Sequence, residues 1–81
     1  MLENKAVPDY LLFGTMGCHL CEEASALIAE AGIVFQMTEI LDNQQWLEKY
    51  SLSIPVLRHI ESGNELAWPF EREQLQTFLK I

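Results

Sequence analysis

Two cysteines stand three positions apart in Cys18-His19-Leu20-Cys21, the segment of the chain whose residue types and spacing most directly support chemistry. If a helix begins at this motif, Cys18 lies at or near its N-terminus and Cys21 one turn inside. Unpaired backbone N–H groups and the positive end of the helix macrodipole then favour a thiolate at Cys18. Cys21 is near enough to close a disulfide after a mixed-disulfide intermediate. Cys18 is thus the candidate attacking sulfur and Cys21 the candidate resolving one. Glu22 and Glu23 oppose thiolate formation and His19 favours it only when protonated, so the motif predicts only that Cys18 is the more acidic thiol.

Other uses of the motif compete with thiol–disulfide chemistry. A structural zinc site needs four ligands, and only His19 and His59 stand ready to add to the two thiols. Two buried core thiols are the plainest alternative, because cysteine packs well as a small hydrophobe. Haem attachment requires a histidine directly after the second cysteine, where this chain has Glu22. The shortage of ligands disfavours zinc, the strand-to-helix placement disfavours idle core thiols, and Glu22 excludes haem, which leaves redox chemistry favoured.

The composition narrows the setting. The chain has 81 residues, 49 % of them hydrophobic and 21 % charged, which predicts one folded domain over residues 1–81. Five Lys and Arg against twelve Asp and Glu leave a net charge of −7. That sign repels nucleic acid and anionic membrane surfaces. No apolar run approaches the roughly 20 residues of a spanning helix, and Met1–Asp9 lacks the apolar centre of a signal peptide. The expected location is a reducing cytoplasm, where a close cysteine pair is reactive or metal-binding rather than a permanent bridge.

The elements that must position the thiols follow from the hydropathy pattern. Tyr10-Leu11-Leu12-Phe13 is continuously apolar and predicts a strand buried on both faces. Gly14-Thr15-Met16-Gly17 breaks it. Leu20, Ala24, Leu27, Ile28 and Ala31 form the apolar stripe of a helix that Gly32 stops. Ile33 to Ile40 predicts a second strand parallel to the first, completing a βαβ unit. Asp42 and Gln45 resemble a capping box opening a short helix to about Tyr50, with Trp46, Leu47 and Tyr50 inward. Val56–Ile60 and Glu65–Trp68 predict a hairpin around Glu61–Asn64, which Pro69 ends. Phe70 and Leu75 flank a Glu71…Gln74 cap, and Leu75, Phe78 and Leu79 share one face of a terminal helix.

Strand Tyr10–Phe13, Cys18-x-x-Cys21 opening a helix, Ser53-Ile54-Pro55 before a strand, and the closing hairpin and helix together resemble the thioredoxin superfamily. Within it they look most like the small bacterial glutaredoxin-like proteins, over nearly the whole chain. The resemblance implies an α/β thioredoxin-like fold, β-α-β-α-β-β-α, with a central four-stranded mixed sheet and helices on both faces. It implies that Pro55 is a cis-proline facing the dithiol and that Ile54 presents backbone groups to substrate. It also implies a thiol–disulfide oxidoreductase acting on a protein or small-molecule disulfide and regenerated by an external reductant, with no bound cofactor and no metal.

Departures from the glutaredoxin pattern bear on the substrate. Glutaredoxins carry proline and an aromatic between the cysteines, where this chain has His19 and Leu20. They place a lysine three residues before the first cysteine to bind a glutathione carboxylate, and this chain has Thr15. A Gly-Gly pair after the hairpin is replaced by Ala67, Trp68 and Pro69, so weak use of anionic glutathione is expected. The buried acid of thioredoxins is replaced by Leu12. Two other functional classes stay open: a module holding zinc or an iron–sulfur cluster between two chains, and an adaptor that keeps the fold without catalysis. Trp46 and Trp68 read as packing residues, His59 as a paired or exposed side chain, and the acidic residues as solvated surface. Arg58 and Arg72 are too few for an anion-binding cluster.

Overall fold

The computed structural model describes residues 7–80; residues 1–6, which hold most of the stretch read for a signal segment, lie outside the described residues with residue 81. Four strands, β1 (Tyr10–Gly14), β2 (Phe35–Glu39), β3 (Val56–His59) and β4 (Glu65–Ala67), form one sheet in the order β2-β1-β3-β4. β2 runs parallel to β1, while β3 is antiparallel to both β1 and β4. Helices α1 (His19–Glu30), α2 (Gln44–Tyr50) and α3 (Arg72–Leu79) complete the predicted order, and the architecture is a thioredoxin-like α/β fold.

β1 is apolar throughout because both of its faces are covered. On one face Tyr10 and Leu12 join Leu57 of β3, Ala24 and Ile28 of α1, Phe70, and Leu75 of α3. On the other, Phe13 joins Val56, Ile40 and Tyr50, with Trp46 and Leu47 of α2 packed against them. Phe13 stacks on Tyr50 with ring centroids 4.2 Å apart and meets Trp46 edge-on at 5.5 Å. Leu12 and Leu57, a cross-strand pair with no exposed surface, are the centre of the sheet. Trp68 packs edge-on to Phe70, and the His59 ring lies 5.0 Å from that of Tyr10 with Nδ1 2.8 Å from Ser62 Oγ.

Three expectations are corrected. The inward stripe of α1 is Cys21, Ala24 and Ile28, with Leu27 half-buried against the same core, while Leu20 is 46 % exposed and Ala31 is exposed past the helix end. Seating Cys21 under the end of β1 rotates Leu20, one residue earlier, out to solvent. The cap of α2 is Asn43, not Asp42: residues 40–42 form a 3-10 turn, and Asn43 Oδ1 accepts from Gln45 N at 2.8 Å and Trp46 N at 3.4 Å. The same turn removes Ile40 from β2, which also begins only at Phe35. At α3 the predicted cap is present, with Gln74 Oε1 accepting from Glu71 N at 2.7 Å. Among the described residues no helix is long and apolar enough to cross a membrane.

Candidate active site

The thiol motif sits where the central strand gives way to the first helix. β1 ends at Gly14, and the chain turns through Thr15, Met16 and Gly17, the last with φ +76°, a conformation that favours glycine. The turn closes with Cys18 N donating to Thr15 O at 3.3 Å. Cys18 is the N-cap of α1, in extended conformation, and its Sγ accepts from Cys21 N at 3.1 Å. Sulfur thus occupies the place of the usual capping oxygen, where it satisfies one of the orphan amides of the helix start.

Cys18 and Cys21 are joined in a disulfide with their Cα atoms 5.2 Å apart. Their surroundings differ. Cys18 is half-buried on the outer surface of the turn, whereas Cys21 is 1 % exposed and packed behind it. Gly14 makes that packing possible, since a Cβ there would lie 2.8 Å from Cys21 Sγ and 3.2 Å from its Cβ. His19 projects from the motif toward two carboxylates, with Nε2 3.1 Å from Glu23 and Nδ1 3.9 Å from Glu22, all three side chains being largely exposed.

Pro55 enters from β3. The antiparallel register pairs Phe13 with Val56, so continuing it by one residue sets Pro55 level with Gly14, the residue against Cys21. Pro55 is fully buried and its bond to Ile54 is cis; Trp68–Pro69 is a second cis bond, which no motif in the chain announces. Ile54 is half-buried against the Phe13 side of the sheet. Its backbone N–H donates to Tyr50 O at 3.0 Å, so that group is engaged within the protein.

Glu39, read from the sequence as solvated surface, ties this region together. One oxygen of its carboxylate accepts from Met16 N at 3.0 Å and the other from Leu41 N at 3.1 Å. The Thr15 hydroxyl, these two amides and the resulting stabilisation of the anion hold its pKa below the ordinary carboxylate value. The residue pairs with Gly14 across the β1–β2 ladder, so the loop before Cys18 is buckled to the end of β2. Only the contact between residues 23 apart reveals this role, and no local pattern carries it. Gly14 had a weak signal, a glycine ending a buried strand just before the thiols.

The remaining polar groups belong elsewhere. Lys49 and Arg58 both lie 3.4 Å from Glu65, whose carboxylate also accepts from the Tyr50 hydroxyl, and Arg72 pairs with Glu30 at 2.6 Å. Among the described residues no group of three or more His, Cys, Asp or Glu side chains is placed to hold a metal ion.

A four-stranded mixed sheet flanked by helices, with a Cys-x-x-Cys disulfide opening the first helix, defines a thioredoxin-superfamily protein. Residues 10–80 match the family model described as Glutaredoxin-like domain (DUF836), and the chain belongs to that family. It is similar to a solved structural-genomics target, XcR50 from X. campestris, with 35 % identity and a TM-score of 0.81, covering 88 % of this chain and 95 % of that one. Protein Ne2328 from Nitrosomonas europaea superposes with a TM-score of 0.70 at 24 % identity, covering 95 % of this chain and 98 % of that one. A glutaredoxin from Archaeoglobus fulgidus shares the fold, with a TM-score of 0.66 at 15 % identity over 91 % of this chain and 88 % of that one. No curated protein matches the sequence. A glutaredoxin-like domain with a disulfide-forming cysteine pair fits a redox role.

Proposed function

We propose that this protein is a thiol–disulfide oxidoreductase in which Cys18 is the attacking and Cys21 the resolving residue. The observation that carries the reading is the asymmetry of the pair: Cys18 caps the helix at the surface, and Cys21 lies buried directly behind it. In the reduced protein the helix N-terminus stabilises the Cys18 thiolate. That thiolate attacks one sulfur of a target disulfide, whose other sulfur leaves as a thiolate and takes up a proton. Cys21, losing its proton, then attacks Cys18 Sγ and expels the second target thiol. Two electrons pass to the target, Cys18–Cys21 becomes a disulfide, and an external dithiol or thiol pair restores it. The exchange itself requires no bound cofactor and suits a reducing compartment.

Pro55 supplies the buried wall beside the pair, and Ile54, its N–H already donated to Tyr50, offers its carbonyl to an amide of the substrate. The test is equilibration of the two thiols against redox buffers of known potential. A reversible two-electron transition near the roughly −200 to −270 mV of glutaredoxins and thioredoxin is expected. The absence of any such transition overturns the reading.

A further inference from the structure

Beside the thiol turn, Thr15, Met16, Met37, Thr38 and Glu39 line a hollow of about 210 Å³ between the loop before Cys18 and the end of edge strand β2. Its apolar residues are unusually open: Met16 is 87 % and Met37 51 % exposed, and Leu41, bonded to the same Glu39 carboxylate as Met16, is 64 % exposed. Isolated exposed apolar side chains need no explanation, but several around one site mark a contact surface. Methionine is suited to such a surface, since its flexible thioether adapts to varied partners. A whole small-molecule ligand occupies a pocket of about 300–1,000 Å³, so this smaller hollow matches a single side chain.

The electrostatics select the partner further. Glu39 lines the hollow, and Glu22 and Glu23 flank His19 at the start of α1, in a chain of net charge −7. Of the described lysines and arginines, Lys49 and Arg58 are drawn to Glu65 and Arg72 to Glu30, and Lys80 caps the far end of α3. An anionic thiol is repelled from such a face, while a cationic segment is steered to it. We propose that the hollow receives an apolar side chain next to the disulfide cysteine of a partner protein, on a segment that carries Lys or Arg. This deepens the disulfide-exchange reading and rests on it.

The test uses the reduced full chain and synthetic peptides Lys-Cys-Leu-Lys, Lys-Cys-Ser-Lys and Glu-Cys-Leu-Glu, each with its cysteine joined to thionitrobenzoate, whose coloured release reports reduction of the peptide's mixed disulfide. Hydroxyethyl disulfide serves as an unselective substrate. The leucine peptide is expected to react about tenfold faster than the serine peptide, the effect of partly burying one leucine. That ratio should fall toward one in Met37→Ser. The lysine peptide should outpace its glutamate counterpart, with the advantage shrinking as salt is raised. Equal rates for all three peptides, or a leucine preference that survives Met37→Ser, overturn the docking proposal while hydroxyethyl disulfide is still reduced. Failure to reduce hydroxyethyl disulfide overturns the exchange reading and this proposal with it.

Discussion

Gly14 and Cys21 meet with no room for a single carbon between them: a methyl group on Gly14 would stand 2.8 Å from the Cys21 sulfur. Gly14→Ala is therefore expected to destabilise the protein by about 1–3 kcal/mol, the usual effect of overpacking a well-filled site. Urea unfolding measures it. In a Cys21→Ala background the same substitution should cost less than about 1 kcal/mol, because the sulfur at 2.8 Å is gone and only the Cβ at 3.2 Å remains. A full cost in both backgrounds would place the crowding elsewhere.

Cys18 caps α1, and in the proposed exchange it also attacks disulfides, two duties that substitution separates. Serine is a good cap but a poor nucleophile at neutral pH, so Cys18→Ser should abolish disulfide reduction yet keep stability close to that of the reduced wild type. Cys18→Ala should lose the activity and about 1 kcal/mol besides. In Cys21→Ser the attack still occurs without resolution, and mass spectrometry should find the substrate thiol retained on Cys18.

Glu39 links pH to the architecture of the thiol loop. Its folded pKa lies below the ordinary value, chiefly through the Thr15 hydroxyl and then the Leu41 and Met16 amides. A depressed carboxylate contributes stability that is fully present above its unfolded pKa and is lost as pH falls through the folded one. Unfolding free energy measured from neutral pH downward should thus fall more steeply below about pH 4 in the wild type than in Glu39→Gln. Parallel curves would show that the carboxylate contributes nothing through its charge.

The start of α2 offers a direct contrast between neighbours. Asn43 accepts from two helix amides, and Asp42 sits one residue earlier in the 3-10 turn. Asn43→Ala should cost about 1 kcal/mol in thermal or urea unfolding, and Asp42→Ala within about 0.5 kcal/mol of nothing.

These positions also mark what could be read from the residues alone. The apolar run of β1, the thiols at the strand-to-helix junction, the hairpin and the terminal helix were legible because each is written in neighbouring residues as period, turn chemistry or cap. Asp42 and Gln45 have the spacing of a capping box too, but a 3-10 turn displaced the helix start by one residue, and two adjacent capping residues look alike in sequence. Leu20 fits the helical stripe as well as Cys21 does. The choice between them is made by the fit of Cys21 against Gly14, a contact across two elements. Glu39 was invisible for the same reason: it is one acid among twelve until the parallel pairing of β2 with β1 lays it beside the thiol loop.

The unequal burial of the two sulfurs carries a protective consequence. If Cys18 is the thiolate proposed above, a peroxide diffusing in from solvent reaches it first and turns it into a sulfenic acid, the rung from which further oxidation becomes irreversible. Cys21 waits immediately beneath, shielded from the same oxidant. Its thiol condenses with the sulfenic acid, expelling water and regenerating a bond that ordinary reductants open. The inner thiol thereby insures the outer one against permanent damage.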